Sequence, residues 1–312
     1  MVQFFIRHND YYKDIMDATT ILFILNPVSG GKKKINWQPV ICEYFKPLAH
    51  KIEFFILTGK DDSASIRHWI ERLSPEKVVA VGGDGTISLV AKQLLNTDIS
   101  LGILRGGSAN GMATELKIPT DPKTALDTII NGKIQKSDVI RINENDISLH
   151  LSDLGLNARL VKYYDKSAIR GMWSYARLLI KILAEGYLMH ASIKADNLDI
   201  KIPAYMIVLA NASKYGTGAV INPEGLIHDG KFELVIVRKI SLAAMAKMFL
   251  SSKPFDPKKV EIFQTTKAQI IVKRKTHFQV DGEYKGKLHK VTAEIIPSAL
   301  NIMVVNDQTK KT

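Results

Sequence analysis

The stretch that most constrains the fold is Val78–Thr86, VVAVGGDGT, a short apolar run ending in three glycines, an aspartate and a threonine. Val78, Val79 and Val81 are β-branched and do not alternate with polar residues, the pattern of an inner strand of a parallel sheet buried on both faces. Gly82, Gly83 and Gly85 leave the backbone free for positive φ and let a bulky anion approach peptide N–H groups. From Thr86 the chain reads as a helix, ISLVAKQLL. Its positive N-terminus would lie beside those amides. Asp84 is the odd member, because a carboxylate beside a phosphate must carry a metal, hold the loop or accept a proton. A plain βα turn with a capping aspartate is the alternative.

The rest of the chain repeats this grammar. TTILFIL (Thr19–Leu25) reads as a first strand, followed by NPVSGG; KIEFFILTG as a second, ending at Thr58 and Gly59; and ISLGILRGG as a further one, ending at Gly106 and Gly107. DSASIRHWIERL reads as an amphipathic helix with Asp62 or Ser63 as N-cap. Strand and helix alternating, with glycine turns at one edge, is a doubly wound α/β layer whose ligand belongs at the carboxyl edge of the sheet. The turn at Asn26 is no Walker A loop, since GxxxxGK[ST] spacing is absent.

Near Lys136 the texture changes to alternating apolar and polar positions, as in antiparallel strands. The expected division is an α/β domain over 1–136, completed by 296–312 with the strand LNIMVV, and an antiparallel β-sandwich over 137–295. A helical interruption is expected across Tyr163–Met189, packed on that sheet or facing lipid. Cys42 is the single cysteine. It has no partner for an internal disulfide, and no Cys/His cluster has zinc spacing. No run approaches the ~20 apolar residues of a membrane span, and no signal peptide is evident. The expected location is cytoplasmic. The net charge of +12 implies attraction to something anionic, a membrane surface, nucleic acid or polyphosphate, with a merely solvated basic surface as the alternative. Nothing resembles a helix-turn-helix or an aromatic-basic strand, so nucleic acid is not expected.

GGDGT after a strand, preceded by NPVSGG at Asn26–Gly31, resembles the diacylglycerol kinase catalytic-domain family, which includes bacterial lipid kinases and sphingosine and ceramide kinases. The resemblance covers nearly the whole chain. It implies an N-terminal fold like that of 6-phosphofructokinase and NAD kinase, followed by a β-sandwich. It also implies an ATP-dependent, Mg2+-assisted lipid kinase acting at a membrane surface, held peripherally by anionic lipid. ATP contacts are implied at Asn26, Pro27, Val28, Ser29, Gly30, Thr58, Gly82, Gly83, Asp84, Gly85, Thr86, Ser108 and Asn110. INPEGLIHDGKFELVIV resembles the family's second-domain signature, which implies a structural magnesium at Asp229 with the carbonyls of Leu226 and Lys231; an ordinary Asp229–Gly230 turn is the alternative. HFQVDGEYKG resembles the turn that faces GGDGT in the family, which implies catalytic roles for Asp281 and Glu283 alongside Asp84. Ser88 and Leu89 stand where the family often has Asn-Glu, and Gly111 where it has Asp. A catalytically impaired lipid or nucleotide sensor and an NAD kinase-like enzyme are the alternative functions. The lipid's identity and the oligomeric state, with a homodimer among the options, are left open.

Overall fold

The computed structural model describes residues 19–30, 35–165, 177–178, 180–182, 185, 188–214, 220–239 and 260–306. The chain divides into two units, one formed by residues up to Ser108, Leu116–Gln135 and Leu300 onward, the other by Ala109–Glu115 and Lys136–Ala299.

In the first unit, β1 (Thr20–Leu25), β2 (Lys51–Ile56), β3 (Lys77–Gly82) and β4 (Ser100–Arg105) form a parallel sheet in the order β2-β1-β3-β4. The end of β14 (Glu283–Val304) adds a parallel neighbour to β4, with Asn301 opposite Ser100. β1, β3 and β4 are buried along nearly their whole length, which accounts for their unbroken apolar runs. Alternate residues serve opposite faces. Ile21, Phe23, Val79, Val81 and Leu104 pack with α1 (Trp37–Phe45) and α5 (Pro122–Asn131), where Phe23 meets Phe45 edge-on at 5.7 Å between ring centroids. Leu22, Ile24, Val78, Ala80, Leu101 and Ile103 are buried on the other face. The neighbouring helices α2 (Asp62–Leu73) and α3 (Asp84–Leu94) bury Ile66, Ile87 and Val90. α5 starts where its sequence says it should: Pro122 occupies its first turn, and the Asp121 carboxylate accepts from the Thr124 N–H at 2.8 Å.

The second unit is built of antiparallel strands. β5 (Lys133–Ile142), β6 (Asp146–Ser148), β7 (Leu151–Gly155), β8 (Met189–Ala195), β9 (Leu198–Ala204), β10 (Met206–Ala210), β11 (Phe232–Val237), β12 (Val260–Thr265) and β13 (Lys267–Val280) precede β14. One path runs β12-β11-β10-β7-β13-β14, while β8 also pairs with β13 and β9 with β8. β11 is buried at every position, so its sequence FELVIV shows no alternation. One face packs Ile207, Leu234, Ile236, Ile270 and Phe278. The other packs Val208, Val235 and Val237 against Leu156 and Leu160 of α6 (Leu156–Asp165). Of the interruption expected across Tyr163–Met189, residues 166–176 lie outside the described residues. The helical residues at 180–182 bury Ile182 in that second core while Lys181 is exposed, so this piece packs on the sheet. No helix among the described residues is long and apolar enough to cross a membrane.

A buried carboxylate ties the second unit together. Asp138 of β5 is 1% exposed. Its carboxylate accepts from Gly230 N at 2.6 Å and Ser298 N at 2.7 Å, and its own N–H donates to Ile227 O at 2.7 Å. Two parts of the chain with positive φ, Gly230 (74°) and Ser298 (51°), are thereby held to one side chain. Asp138→Ala removes a buried acceptor from two backbone N–H donors, and denaturant unfolding is expected to show a loss of about 1.5–3 kcal/mol. A loss below about 1 kcal/mol would show that the turn at Gly230 does not depend on this carboxylate.

Candidate functional site

At the carboxyl edge of the parallel sheet, the turns after β1, β3 and β4 close on one another. Asn26, just past β1, donates its backbone N–H to Val81 O at 3.0 Å, and Gly106, past β4, donates to Gly82 O at 2.8 Å. The side chains repeat the connection. Asn26 Nδ2 donates to Thr86 Oγ1 at 2.9 Å, Asn26 Oδ1 accepts from Val28 N at 3.1 Å, and Ser29 Oγ donates to Asn26 O at 2.9 Å. The glycines are what permit this. A methyl on Gly82 would come within 2.3 Å of Thr86 Oγ1, one on Gly106 within 3.0 Å of Gly82 Cα, and one on Gly83 within 3.1 Å of Gly107 Cα. Gly30 takes φ 82°, which opens the exit of the first turn.

The helix α3 begins at Asp84, two residues earlier than its apolar run suggests, with Gly83 at the N-cap. Gly82, Gly83 and the helix's first turn thus offer backbone N–H groups at a positive helix end. Thr86 is 4% exposed and its hydroxyl oxygen is engaged by Asn26, so it fastens two turns together. Asp84 and Gly85 are partly exposed in that first turn. Beside it, Arg105 donates Nε–H to Ile118 O at 2.9 Å. Burial pulls its guanidinium pKa down, and the Asp84 carboxylate pulls it back up. A cavity of about 390 Å³ opens next to these turns, walled by Leu25, Trp37 and Ile56 and bordered by Asn26, Pro27 and Gly106. Trp37 is fixed there by its indole N–H on Arg105 O at 3.2 Å. Neither Trp37 nor Ile56 is legible as a site residue in sequence, since each reads as an ordinary apolar position; Ile56 betrays itself only by being 48% exposed at a strand end.

Thr58 stands past β2, where Asp62 takes up its groups: the carboxylate accepts from Thr58 N at 2.9 Å and Gly59 N at 2.8 Å, and the Thr58 hydroxyl lies 3.0 Å from it. Those bonds pull the Asp62 carboxyl pKa down against a desolvation cost. Asp62 therefore organises this turn rather than capping α2, whose N-cap position is Asp61 with no side-chain bond. Ser108 is exposed at the end of the first unit; Asn110, at φ 50°, belongs to the second and accepts from Thr114 N at 2.9 Å.

In the second unit, Asp281 and Gly282 are the two-residue loop between Val280 and Glu283, with φ of 46° and 91°. Positive φ at both positions is the type I′ hairpin that Asp-Gly favours. Asp281 is turned inward. Its carboxylate accepts from Ser148 Oγ at 2.8 Å and from the N–H groups of Leu149, His150 and Leu151 at 2.7, 3.0 and 3.0 Å. Burial pushes its carboxyl pKa up, and these donors pull it back toward the ionised form. Gln279 completes the clamp, accepting from Gly282 N at 2.6 Å and donating to Asp153 Oδ2 at 2.5 Å. Glu283 is exposed, with Lys285 Nζ at 3.2 Å from its carboxylate.

Asp229 sits in the turn before β11. Its carboxylate oxygens accept from Lys231 N and Gln264 Nε2, each at 3.0 Å. Nearby, Glu233 is buried with its carboxyl pKa raised chiefly by burial, opposed by a hydrogen bond from Asn222 and reinforced by the Asp229 charge. With the carbonyls of Leu226 and Lys231 the donors are all oxygen, the hard type magnesium takes, and each Asp229 oxygen keeps a second lone pair. Among the described residues no group of three or more His, Cys, Asp or Glu side chains is arranged to hold a metal. Any ion here would rest on one carboxylate, backbone carbonyls and water.

Residues 20–142 match the model of the diacylglycerol kinase catalytic domain, and residues 152–304 match that of the YegS C-terminal NAD kinase β-sandwich-like domain. A "Probable lipid kinase YegS-like" of Yersinia enterocolitica is 28% identical over 246 residues, spanning 73% of this chain and 78% of its own. The diacylglycerol kinase of Bacillus subtilis is 25% identical over 282 residues, 85% of this chain and 90% of its own. The crystal structure of a diacylglycerol kinase from Bacillus anthracis superposes with a TM-score of 0.67 at 17% identity, covering 93% of this chain and 98% of that one, a likeness of fold. With both domain models matched in order and the turns after β1, β3 and β4 gathered at one sheet edge, the chain belongs to the diacylglycerol kinase catalytic-domain family.

Proposed function

We propose that this protein transfers the γ-phosphate of ATP to the hydroxyl of a lipid. The observation that carries the reading is the backbone-to-backbone meeting of the glycine turns at Asn26, Gly82 and Gly106, beside a cavity with apolar walls. Phosphoryl transfer asks the protein mainly for positioning and charge neutralisation. The turns supply amides for phosphate oxygens, the apolar walls suit a nucleotide base, and the start of α3 adds a positive helix end. Asp84, partly exposed in that first turn, is the residue that would hold Mg2+, which would supply positive charge to neutralise the charge developing on the phosphate. Asp229 would hold a second, structural ion.

Glu283 is the better candidate for the base that takes the acceptor hydroxyl's proton. Four donors engage Asp281, which leaves it as the anchor of the hairpin, whereas Glu283 is exposed and free of backbone donors. Thr86 and Thr58 act by holding turns rather than by touching phosphate. A peripheral, anionic-lipid-bound state in the cytoplasm fits the net charge of +12.

Two sets of variants test these assignments. Glu283→Gln is expected to lower kcat for lipid phosphorylation by about 10²- to 10⁴-fold with thermal unfolding unchanged. Asp281→Asn is expected to lower the melting temperature by several degrees, through loss of a buried charged acceptor worth roughly 1.5–3 kcal/mol. A Glu283→Gln enzyme with near-normal turnover would return the base role to Asp281 or Asp84. In the first unit, Gly106→Ala pushes its turn from Gly82 and Ser29. It should raise KM for ATP by about tenfold, or ~1.4 kcal/mol, with little change in lipid KM; an unchanged ATP KM would remove these turns from the nucleotide site.

A further inference from the structure

Positive charge is concentrated on β13 at a place where the proposed chemistry makes no use of it. From Ile271 to Thr276 the strand advances five residues while its partner β14 advances two, from Lys290 to Leu288. Pairing with β8 ends at Val272 and pairing with β7 begins at Phe278, so the surplus lies where β13 passes from one neighbour to the other. A bulge lets a strand turn such a corner. Its residues here are Lys273, Arg274 and Lys275, all exposed. Turning a corner asks for room and not for charge, and three consecutive cations repel one another. Lys290 adds a fourth, directly opposite Ile271, and Lys201 of β9 a fifth, through Ser192, which pairs with both Ile271 and Lys201. Directly paired residues share a face. None of the five has a carboxylate within ion-pair distance among the described residues.

Apolar surface stands among these cations. Ile271 is 42% exposed on the sheet face between Lys290 and Ser192, and Leu188 is 43% exposed just before β8. Leu188 and Met189 line, with Lys273 and Arg274, a cavity of about 430 Å³. Glu185, the carboxylate on that wall, is taken up by Arg159. Exposed aliphatic side chains set among such cations suit a surface with anionic headgroups above hydrocarbon. A nucleic acid would match the charge but leave Ile271 and Leu188 in water. Lys290 stands seven residues along β14 from Glu283, roughly 20 Å, so this face is separate from the proposed base. Resting on the peripheral-membrane reading, we propose that the basic bulge at Lys273–Lys275, with Ile271, Leu188, Lys201 and Lys290 around it, is the surface by which this protein docks on an anionic lipid bilayer. The cations hold the headgroups, and the two aliphatic side chains enter the interface between them.

The test measures partition of the intact protein onto phosphatidylcholine vesicles with and without phosphatidylserine, a lipid that has no headgroup hydroxyl to phosphorylate. The wild type should bind the anionic vesicles more tightly by about tenfold or more. The triple variant Lys273→Gln, Arg274→Gln, Lys275→Gln should weaken that binding roughly a hundredfold, at about fivefold for each basic side chain near an anionic leaflet. Its defect should shrink as salt is raised. Ile271→Ser should weaken binding by about fivefold and keep that defect at high salt, because its contribution is apolar. Lys201→Gln with Lys290→Gln leaves the bulge intact and should weaken binding by about twentyfold. A control, Lys46→Gln, Lys60→Gln, Lys123→Gln, removes equal charge from exposed positions of the first unit and should bind nearly as the wild type does. If both charge variants of the bulge face bind no worse than this control, the face assignment falls while the peripheral reading stands. A wild type that ignores phosphatidylserine sinks both. A duplex oligonucleotide that displaces the protein from the vesicles, and that Ile271→Ser binds as tightly as the wild type, would give the face to nucleic acid and overturn the lipid assignment.

Discussion

A methyl on Gly106 would crowd the Gly82 backbone and one on Gly82 would overlap the Thr86 side chain, and much else in the first unit follows from this close packing of the turns. Three strands must end level for their turns to meet, which the parallel register of β1, β3 and β4 arranges, with Leu25 opposite Val81 and Gly82 opposite Arg105. The register in turn depends on strands buried on both faces and clamped between two helical layers. The helix that follows β3 then starts at that edge of the sheet, with Gly83 at its N-cap. The proposed anion site would rest on backbone geometry rather than on any single dedicated residue.

Two of the carboxylates serve as anchors. Asp138 and Asp281 are sunk among backbone N–H donors, and each joins parts of the chain distant in sequence: Asp138 with Gly230 and Ser298, Asp281 with Ser148–Leu151. Removing such a group takes the acceptor from several backbone donors at once. Asp84 is partly exposed and Glu283 is exposed. That contrast is why the proposed chemistry falls on the second pair. It also explains why an Asp-Gly-Glu turn holds one anchoring acid and one available acid side by side.

Much of the fold was legible because it follows from local pattern. The unbroken Val78–Val81 run does become an inner parallel strand, NPVSGG does follow a strand, and LNIMVV does return to β4. What escaped were bonds made at a distance. Nothing near Asp281 in sequence announces four donors about 130 residues away, so the turn reads equally well as catalytic or as a plain hairpin. The same applies to Asp62, read as a helix cap but spent on the Thr58 turn, and to Thr86, read at the start of a helix but used as a bolt to Asn26. Trp37 was invisible as a wall of the cavity because an aromatic residue at a helix start is ordinarily core. Lys32, Lys33 and Lys34, a basic run following the first turn in sequence that could add charge to it or simply be solvated, lie outside the described residues.

The most direct measurement of the central claim is the fate of labelled γ-phosphate from ATP when the intact protein is incubated with magnesium and a set of hydroxyl-bearing lipids in micelles. The account predicts label in an organic-phase lipid product that forms only when lipid, nucleotide and divalent cation are all present. Label appearing solely as inorganic phosphate, or ATP binding tightly with no lipid product from any acceptor, would contradict it.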